Sequence, residues 1–155
     1  MDFQITALDA GQFRELYGLD NDALARRGVV RYVVDEKPGF PCRVSLVDAE
    51  VGETVLLLNF EHQPADTPYR SSHAIFVREG AETARLAKNE VPEMLRIRTL
   101  SVRAFDEKAM MLDAAVVDGE NLTGLIHRLF DNDSVVYLHV HNAGRGCYNA
   151  AIHRA

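Results

Sequence analysis

The feature of this sequence that most constrains its fold is a C-terminal segment that resembles two strands joined by a short loop. Residues 134–141 are rich in β-branched and aromatic side chains, and residues 147–153 resume a similar pattern. Between them lie Asn142, Ala143, Gly144, Arg145 and Gly146, a run typical of turns. The segment therefore predicts a β-hairpin at the end of the chain.

The predicted hairpin has an apolar and a polar face, because successive side chains of a strand point to opposite sides. We expect His141 to lie opposite Cys147, and His139 opposite Asn149. Two imidazoles, a thiol and an amide then converge on the polar face, with directly opposed Cβ atoms about 4.5–5.5 Å apart. The apolar face in this register consists of Val136, Leu138, Val140, Tyr148, Ala150 and Ile152.

The rest of the chain contains short strand patterns and a few amphipathic helices. Strand patterns occur at residues 3–8, 29–34, 54–60, 74–77, 95–105 and 109–117, and residues 61–72 predict a long exposed loop. Asp9 and Asp20 are suited to cap short helices, and a third helix has an apolar stripe of Leu122, Leu125, Ile126 and Leu129. We expect a single α+β domain over residues 1–155, with a mainly antiparallel, curved sheet or partly closed barrel and about three flanking helices.

Composition and charge argue against several classes of function. The formal net charge is −6, whereas non-specific nucleic-acid binding requires a basic face. No apolar run approaches the length of a membrane span, and the N-terminal residues lack the pattern of a signal peptide. We therefore expect a soluble cytoplasmic protein that binds neither nucleic acid nor membrane. In that reducing compartment Cys42 and Cys147 are expected to be free thiols, or at most a transient pair.

The polar face of the hairpin supports two hypotheses about chemistry. His139, His141 and Cys147 are residue types that bind zinc or a related ion. Alternatively, Cys147 could be a nucleophile activated by either imidazole and oriented by Asn149. Both hypotheses describe a small thiol- or metal-dependent enzyme. The competing interpretation is a half-solvated sheet face, where polar residues belong in any case, and the sequence favours it. We accordingly assign no metal ligand and no cofactor from the sequence.

A second set of side chains suggests recognition of an anion, because arginine is suited to bidentate contacts with carboxylate and phosphate. The leading hypothesis is a domain that binds a small anionic molecule or a protein partner, and the enzyme is the alternative. In the leading hypothesis the ligand would be contacted by His139, His141, Arg43, Tyr69, Arg70, Arg145 and Asn149. Arg96 and Arg98 are expected on one face of a strand, and His62, His127 and His153 receive no role. A homodimer is compatible with the sequence.

Several short segments carry a resemblance to a known family. They are Pro38-Gly-Phe-Pro-Cys-Arg43, Asp48-Ala-Glu-Val-Gly-Glu53 with Val55-Leu-Leu-Leu58, Pro68-Tyr69, Ile75-Phe-Val77 and Gly146-Cys-Tyr148. Together they resemble an uncharacterised bacterial family, domain of unknown function 1203. The chain departs from that pattern at Ser72-His73-Ala74, where members often have a Gly-Pro pair, and at Ser45, where some have a cysteine.

The resemblance implies membership of a family and no activity. It does draw attention to Cys42-Arg43 and to Cys147, the two cysteine segments of the chain. We expect these two segments to meet in the fold and to line one pocket with His139 and His141.

Overall fold

The computed structural model describes all 155 residues and contains eight strands and three α-helices. The strands are β1 (Phe3–Thr6), β2 (Val30–Val33), β3 (Thr54–Gln63), β4 (Ser71–Arg78), β5 (Thr99–Phe105), β6 (Met111–Asp118), β7 (Tyr137–Asn142) and β8 (Tyr148–Arg154). The helices are α1 (Asn21–Ala25), α2 (Glu93–Arg96) and α3 (Leu122–Phe130), and 3₁₀ turns occupy Ala10–Gln12, Arg14–Leu16 and Gly119–Asn121.

The strands form two antiparallel sheets that do not close into a barrel. The larger sheet has five strands in the order β1-β8-β7-β5-β6, and the smaller has three in the order β2-β3-β4. Two antiparallel sheets with three helices confirm the predicted α+β class. No helix of the protein combines the length and apolar character needed to cross a membrane.

The N-terminal segment forms the caps that its sequence predicts, although its first helix is shorter than expected. The Asp9 side chain accepts a hydrogen bond from the Gly11 amide, and two successive 3₁₀ turns follow in place of one α-helix. Such turns are typical of segments too short for a stable α-helix. The Asp20 side chain caps α1 by accepting a hydrogen bond from the Ala23 amide, and Gly28 follows with a φ of 71°.

The two faces of the five-stranded sheet have different coverings. One face packs on α3, whose predicted apolar stripe is buried in the largest hydrophobic cluster together with Leu138, Val140 and Ile152. The other face meets the three-stranded sheet, where Tyr148 of β8 joins Leu56 and Leu58 of β3 in a second cluster. The polar face of the C-terminal hairpin therefore lies largely between the two sheets.

The hairpin forms as predicted, but its register differs by two residues. His139 lies opposite Ala151 where Asn149 was expected, and Val140 lies opposite Ala150. A bulge between Val140 and His141 then places Tyr148 opposite His141. Because a bulge inserts one unpaired residue, it reverses the alternation of side chains beyond it. Tyr148 consequently shares the histidine face, and its predicted place on the apolar face is wrong.

Two other elements also differ from the predictions. The expected loop at residues 61–72 is much shorter, because β3 continues to Gln63 and β4 begins at Ser71. The expected strand at residues 95–105 begins only at Thr99, because Met94 and Leu95 are both buried on the short helix α2. Arg98 forms a bidentate ion pair with Asp48 while the Arg96 guanidinium bonds to a nearby backbone carbonyl, so these arginines share no strand face.

Candidate functional site

Three histidines converge between the two sheets. They are His62 of β3 and His139 and His141 of β7, and one ring nitrogen of each lies within 4.8 Å of those of the other two. Their exposed fractions are 9%, 7% and 1% respectively. A histidine that receives no role from the sequence thus joins the pair at the predicted site.

Strand geometry explains how these side chains meet. His139 and His141 alternate with Leu138 and Val140, which point into the core beneath α3. On β3, pairing with β4 is irregular between Phe60 and Gln63, and both His62 and Gln63 are buried. Irregularities of this kind redirect side chains at the edges of sheets. Here the irregular segment accompanies the placement of His62 against β7.

Burial keeps all three imidazoles neutral at physiological pH. It is the main reason why the pKa of His62 is lowered to about 4 and those of His139 and His141 to about 3. Arg103 and neighbouring histidines lower these pKa values further, and the hydrogen bond to the Gly146 carbonyl partly opposes the shift of the His141 pKa. Neutral imidazole is the form that binds a metal ion.

Each histidine also has one buried ring nitrogen without a hydrogen-bond partner, namely Nδ1 of His62, Nδ1 of His139 and Nε2 of His141. Nδ1 of His141 donates to the Gly146 carbonyl at 2.8 Å, which leaves the Nε2 lone pair of the neutral ring free. Nε2 of His62 lies 3.4 Å from the Ser71 hydroxyl oxygen. Three unpaired buried nitrogens in one place are uncommon, since buried polar groups usually have partners.

Tyr148 forms an aromatic wall of the cluster. Its ring stacks on His62 with a centroid separation of 5.5 Å and meets His139 and His141 edge-on at 5.2 Å and 5.7 Å. Burial raises the pKa of the Tyr148 hydroxyl well above its ordinary value, so the side chain stays uncharged. The ring therefore holds the three imidazoles in place through packing and contributes no charge.

Arg103 is the cation closest in register to the cluster. It lies on β5 directly opposite His139, so both side chains project from the same face of the sheet. It is partly buried, and that burial lowers the pKa of its guanidinium. Unlike the Arg98 guanidinium, the Arg103 guanidinium forms no hydrogen bond and no ion pair with the rest of the protein.

The predicted pairing of a thiol with an imidazole is not formed. Sγ of Cys147 instead accepts hydrogen bonds from Nη2 of Arg43 at 3.2 Å and from Nδ2 of Asn142 at 3.3 Å. The Asn149 amide donates to Asn142 at 2.7 Å, so it does not orient a histidine through that bond. Cys147 therefore lies beside the histidine cluster, in a separate hydrogen-bonded group.

Arg43 is the centre of that second group and is only 1% exposed. Its guanidinium donates to the carbonyls of Tyr148 at 2.8 Å and Pro41 at 2.6 Å, as well as to Cys147. Burial lowers its pKa, and the nearby Cys147 thiol opposes that effect. The Cys42-Arg43 and Cys147 segments thus meet as expected, while Sγ of Cys42 accepts from the backbone amides of Ser45 and Arg78.

The remaining candidates for anion binding are dispersed over the surface. Arg70 pairs with Glu61 at 3.3 Å, and the Tyr69 ring meets Phe105 edge-on at 6.2 Å. Arg145 is exposed in the hairpin loop, where its carbonyl lies 3.0 Å from Nε2 of His73. With Arg43 saturated by buried acceptors, these arginines do not assemble into one anion site.

His62 and Arg103 are the residues of the cluster that the sequence predictions missed. His62 continues the two-residue alternation of Leu56, Leu58 and Phe60, which would have placed it on the inner face of a longer strand. Arg103 likewise shares its strand face with Ser101 and Phe105. The alternation of residues along β3 and β5 could therefore have placed both side chains on inner strand faces. It does not indicate that these strands lie beside the histidines of β7.

Fold and site together define an α+β domain that carries a cluster of neutral histidines between two antiparallel sheets. The chain belongs to the family described as "Protein of unknown function (DUF1203)", whose family model matches residues 39–154. The matched region includes all three histidines, Arg103 and both cysteines. Searches of curated proteins and of solved structures found no match.

Proposed function

We propose that this protein binds a divalent transition-metal ion of the zinc type through His62, His139 and His141. The observation that carries the proposal is the set of three buried, neutral imidazoles, each with an unpaired ring nitrogen, gathered within 4.8 Å. Leaving buried nitrogens without partners is costly, and a bound ion would satisfy those that coordinate it.

The donor set fits the preferences of such an ion. Zinc binds imidazole nitrogen at about 2.0–2.1 Å in tetrahedral geometry, which places neighbouring ligand atoms about 3.3 Å apart. The separations of up to 4.8 Å between the ring nitrogens therefore need to shorten by about 1.5 Å at most.

Contacts around the histidines support the same role. Metal-binding histidines usually donate their second ring N–H to a carbonyl or another acceptor, which orients the ring. The bond from Nδ1 of His141 to the Gly146 carbonyl has this form. The Ser71 hydroxyl beside Nε2 of His62 is a second such partner. Three protein ligands leave a fourth position for water or another small ligand, as in catalytic sites.

The other hypotheses have less support. A thiol-dependent enzyme requires Cys147 to interact with an imidazole, whereas Sγ of Cys147 accepts hydrogen bonds from Arg43 and Asn142. Recognition of an anion by the predicted arginines requires them to converge, and they are dispersed. No observation favours a particular protein partner. Metal binding is the function for which the side chains are already assembled.

Titration of untagged, metal-stripped protein with Co²⁺ would test the proposal, because Co²⁺ replaces zinc and its visible absorption reports tetrahedral nitrogen coordination. We expect binding of one equivalent. The His139→Phe variant keeps an aromatic ring but loses the donor nitrogen, and it should bind Co²⁺ at least about 100-fold more weakly. The matched control is His127→Phe, which changes an exposed histidine of α3.

His127→Phe should bind Co²⁺ like the unmodified protein. Circular dichroism and thermal unfolding of each variant would show that the fold is retained. Equal Co²⁺ affinity in the unmodified protein and in folded His139→Phe would contradict the proposal, and so would octahedral spectra of a weakly bound ion in both. A second ligand variant, His62→Phe, provides the same comparison if His139→Phe does not fold.

A further inference from the structure

We infer that the metal site takes an organic carboxylate, whose charged group binds between the ion and Arg103 and whose apolar part lies on β6. This inference rests on the proposed metal binding and names the class of ligand for the same site. It starts from the Arg103 side chain, whose guanidinium has neither an ion pair nor a hydrogen bond although the residue is partly buried.

The sheet places Arg103 beside the histidines and in line with an exposed apolar strip. On this face His139 of β7, Arg103 of β5 and Ala114 of β6 lie in one row across three strands. His141, Ser101 and Val116 form the next row. Neighbouring strands lie about 4.8 Å apart, so each row spans about 10 Å from histidine to β6. A small ligand can contact both ends.

The positive charge at the site indicates that the ligand is an anion. Three neutral imidazoles leave the two charges of a bound ion uncompensated, and Arg103 adds a third positive charge nearby. The potential metal ligands gathered here are histidines only, with no carboxylate among them. By contrast, Arg98 is neutralised by Asp48. An anion that binds the open coordination position and accepts hydrogen bonds from Arg103 would balance this excess, and a guanidinium suits a carboxylate.

The β6 strip indicates an organic anion. Val116 is 67% exposed, and Ala114 is also exposed. Val116 and Ala114 point to the histidine side of the sheet, whereas Asp113 pairs with Arg128 of α3 on the opposite side. A carboxylate held at Arg103 can extend its apolar chain over Ala114 and Val116. Phosphate would leave this strip uncovered.

Anion titrations of the Co²⁺-loaded protein, followed by its visible spectrum, would test the inference. We expect hexanoate to perturb the spectrum and to bind at least about tenfold more tightly than acetate, because its additional methylene groups are buried on β6. Arg103→Gln should weaken hexanoate binding at least about tenfold while Co²⁺ still binds. Arg70→Gln, at a surface arginine paired with Glu61, is the matched control and should change neither hexanoate binding nor Co²⁺ binding.

The variant Val116→Asn tests the apolar strip separately. It should reduce the preference for hexanoate over acetate without changing the affinity for acetate.

Each unexpected result of these experiments has a distinct meaning. Absence of Co²⁺ binding would overturn both this inference and the proposed function. Co²⁺ binding with unchanged hexanoate affinity in Arg103→Gln would overturn only the inference. Phosphate binding as tight as that of hexanoate would overturn the assignment of an organic carboxylate.

Discussion

Acid should destabilise the metal-free protein through its three buried histidines. Their pKa values in the folded protein are about 4, 3 and 3, whereas the ordinary value is 6.5. The unfolded chain therefore binds more protons than the folded protein below pH 6.5. The stability that these groups contribute is present above pH 6.5, and it is lost as the pH falls toward the folded pKa values.

The size of the effect follows from the same values. An imidazole with a pKa of 6.5 when unfolded and about 3 when folded lowers the free energy of unfolding by about 2 kcal/mol between pH 8 and pH 5. A folded pKa of about 4 gives nearly the same figure, so the three histidines together account for at most about 6 kcal/mol. That is a large share of the roughly 5–15 kcal/mol by which domains are usually stable.

Urea unfolding at pH 8 and pH 5, in the presence of EDTA, would measure this loss. The His139→Phe variant removes one buried imidazole, so its acid loss should be about 2 kcal/mol smaller than that of the unmodified protein. Other ionisable groups titrate in both proteins and cancel in the comparison. Between pH 8 and pH 5 the control His127→Phe should lose as much free energy of unfolding as the unmodified protein. An equal acid loss in His139→Phe would refute the reasoning, because it would mean that the His139 pKa is not lowered by folding.

Three further predictions concern the stability of the fold and of the hydrogen bonds around Arg43. A Cβ at Gly119 would lie 1.9 Å from the Leu95 carbonyl oxygen, so Gly119→Ala should destabilise the protein by about 2 kcal/mol or more. At Gly124, within α3, no atom other than the adjoining helix backbone lies within 4 Å of the added Cβ, so Gly124→Ala should stabilise the protein by about 0.5–1 kcal/mol. Thermal unfolding of the two variants should therefore show shifts of opposite sign. Arg43→Lys should cost about 2 kcal/mol or more in urea unfolding, because one ammonium cannot reach the Tyr148 and Pro41 carbonyls and the Cys147 sulfur together. The same change at Arg70 should cost less than about 0.5 kcal/mol, and similar costs at both sites would contradict the role of the Arg43 hydrogen bonds.

Much of the fold could be predicted because its signals are local. The alternation of β7 places His139 and His141 on one face, and the apolar stripe of α3 marks the side that is buried. Caps at Asp9 and Asp20 depend on residues only two or three positions away. The predicted hairpin register was wrong for two reasons that no local pattern marks. The loop is one residue longer than expected, because His141 pairs with Tyr148, and the bulge beside His141 shifts the pairing of His139 and Val140 by one more residue.

Sequence alone determined the α+β class, the apolar stripe of α3 and the pair of histidines on one strand, because each depends on the periodicity of a single element. Tertiary structure decided that His62 joins this pair across a sheet interface and that Arg103 lies opposite His139. The tertiary structure also decided that Cys147 accepts a hydrogen bond from Arg43 and does not contact an imidazole through such a bond. These contacts join residues far apart in the chain. They depend on which strands become neighbours and where a strand bulges, and those choices are set by packing of the whole domain.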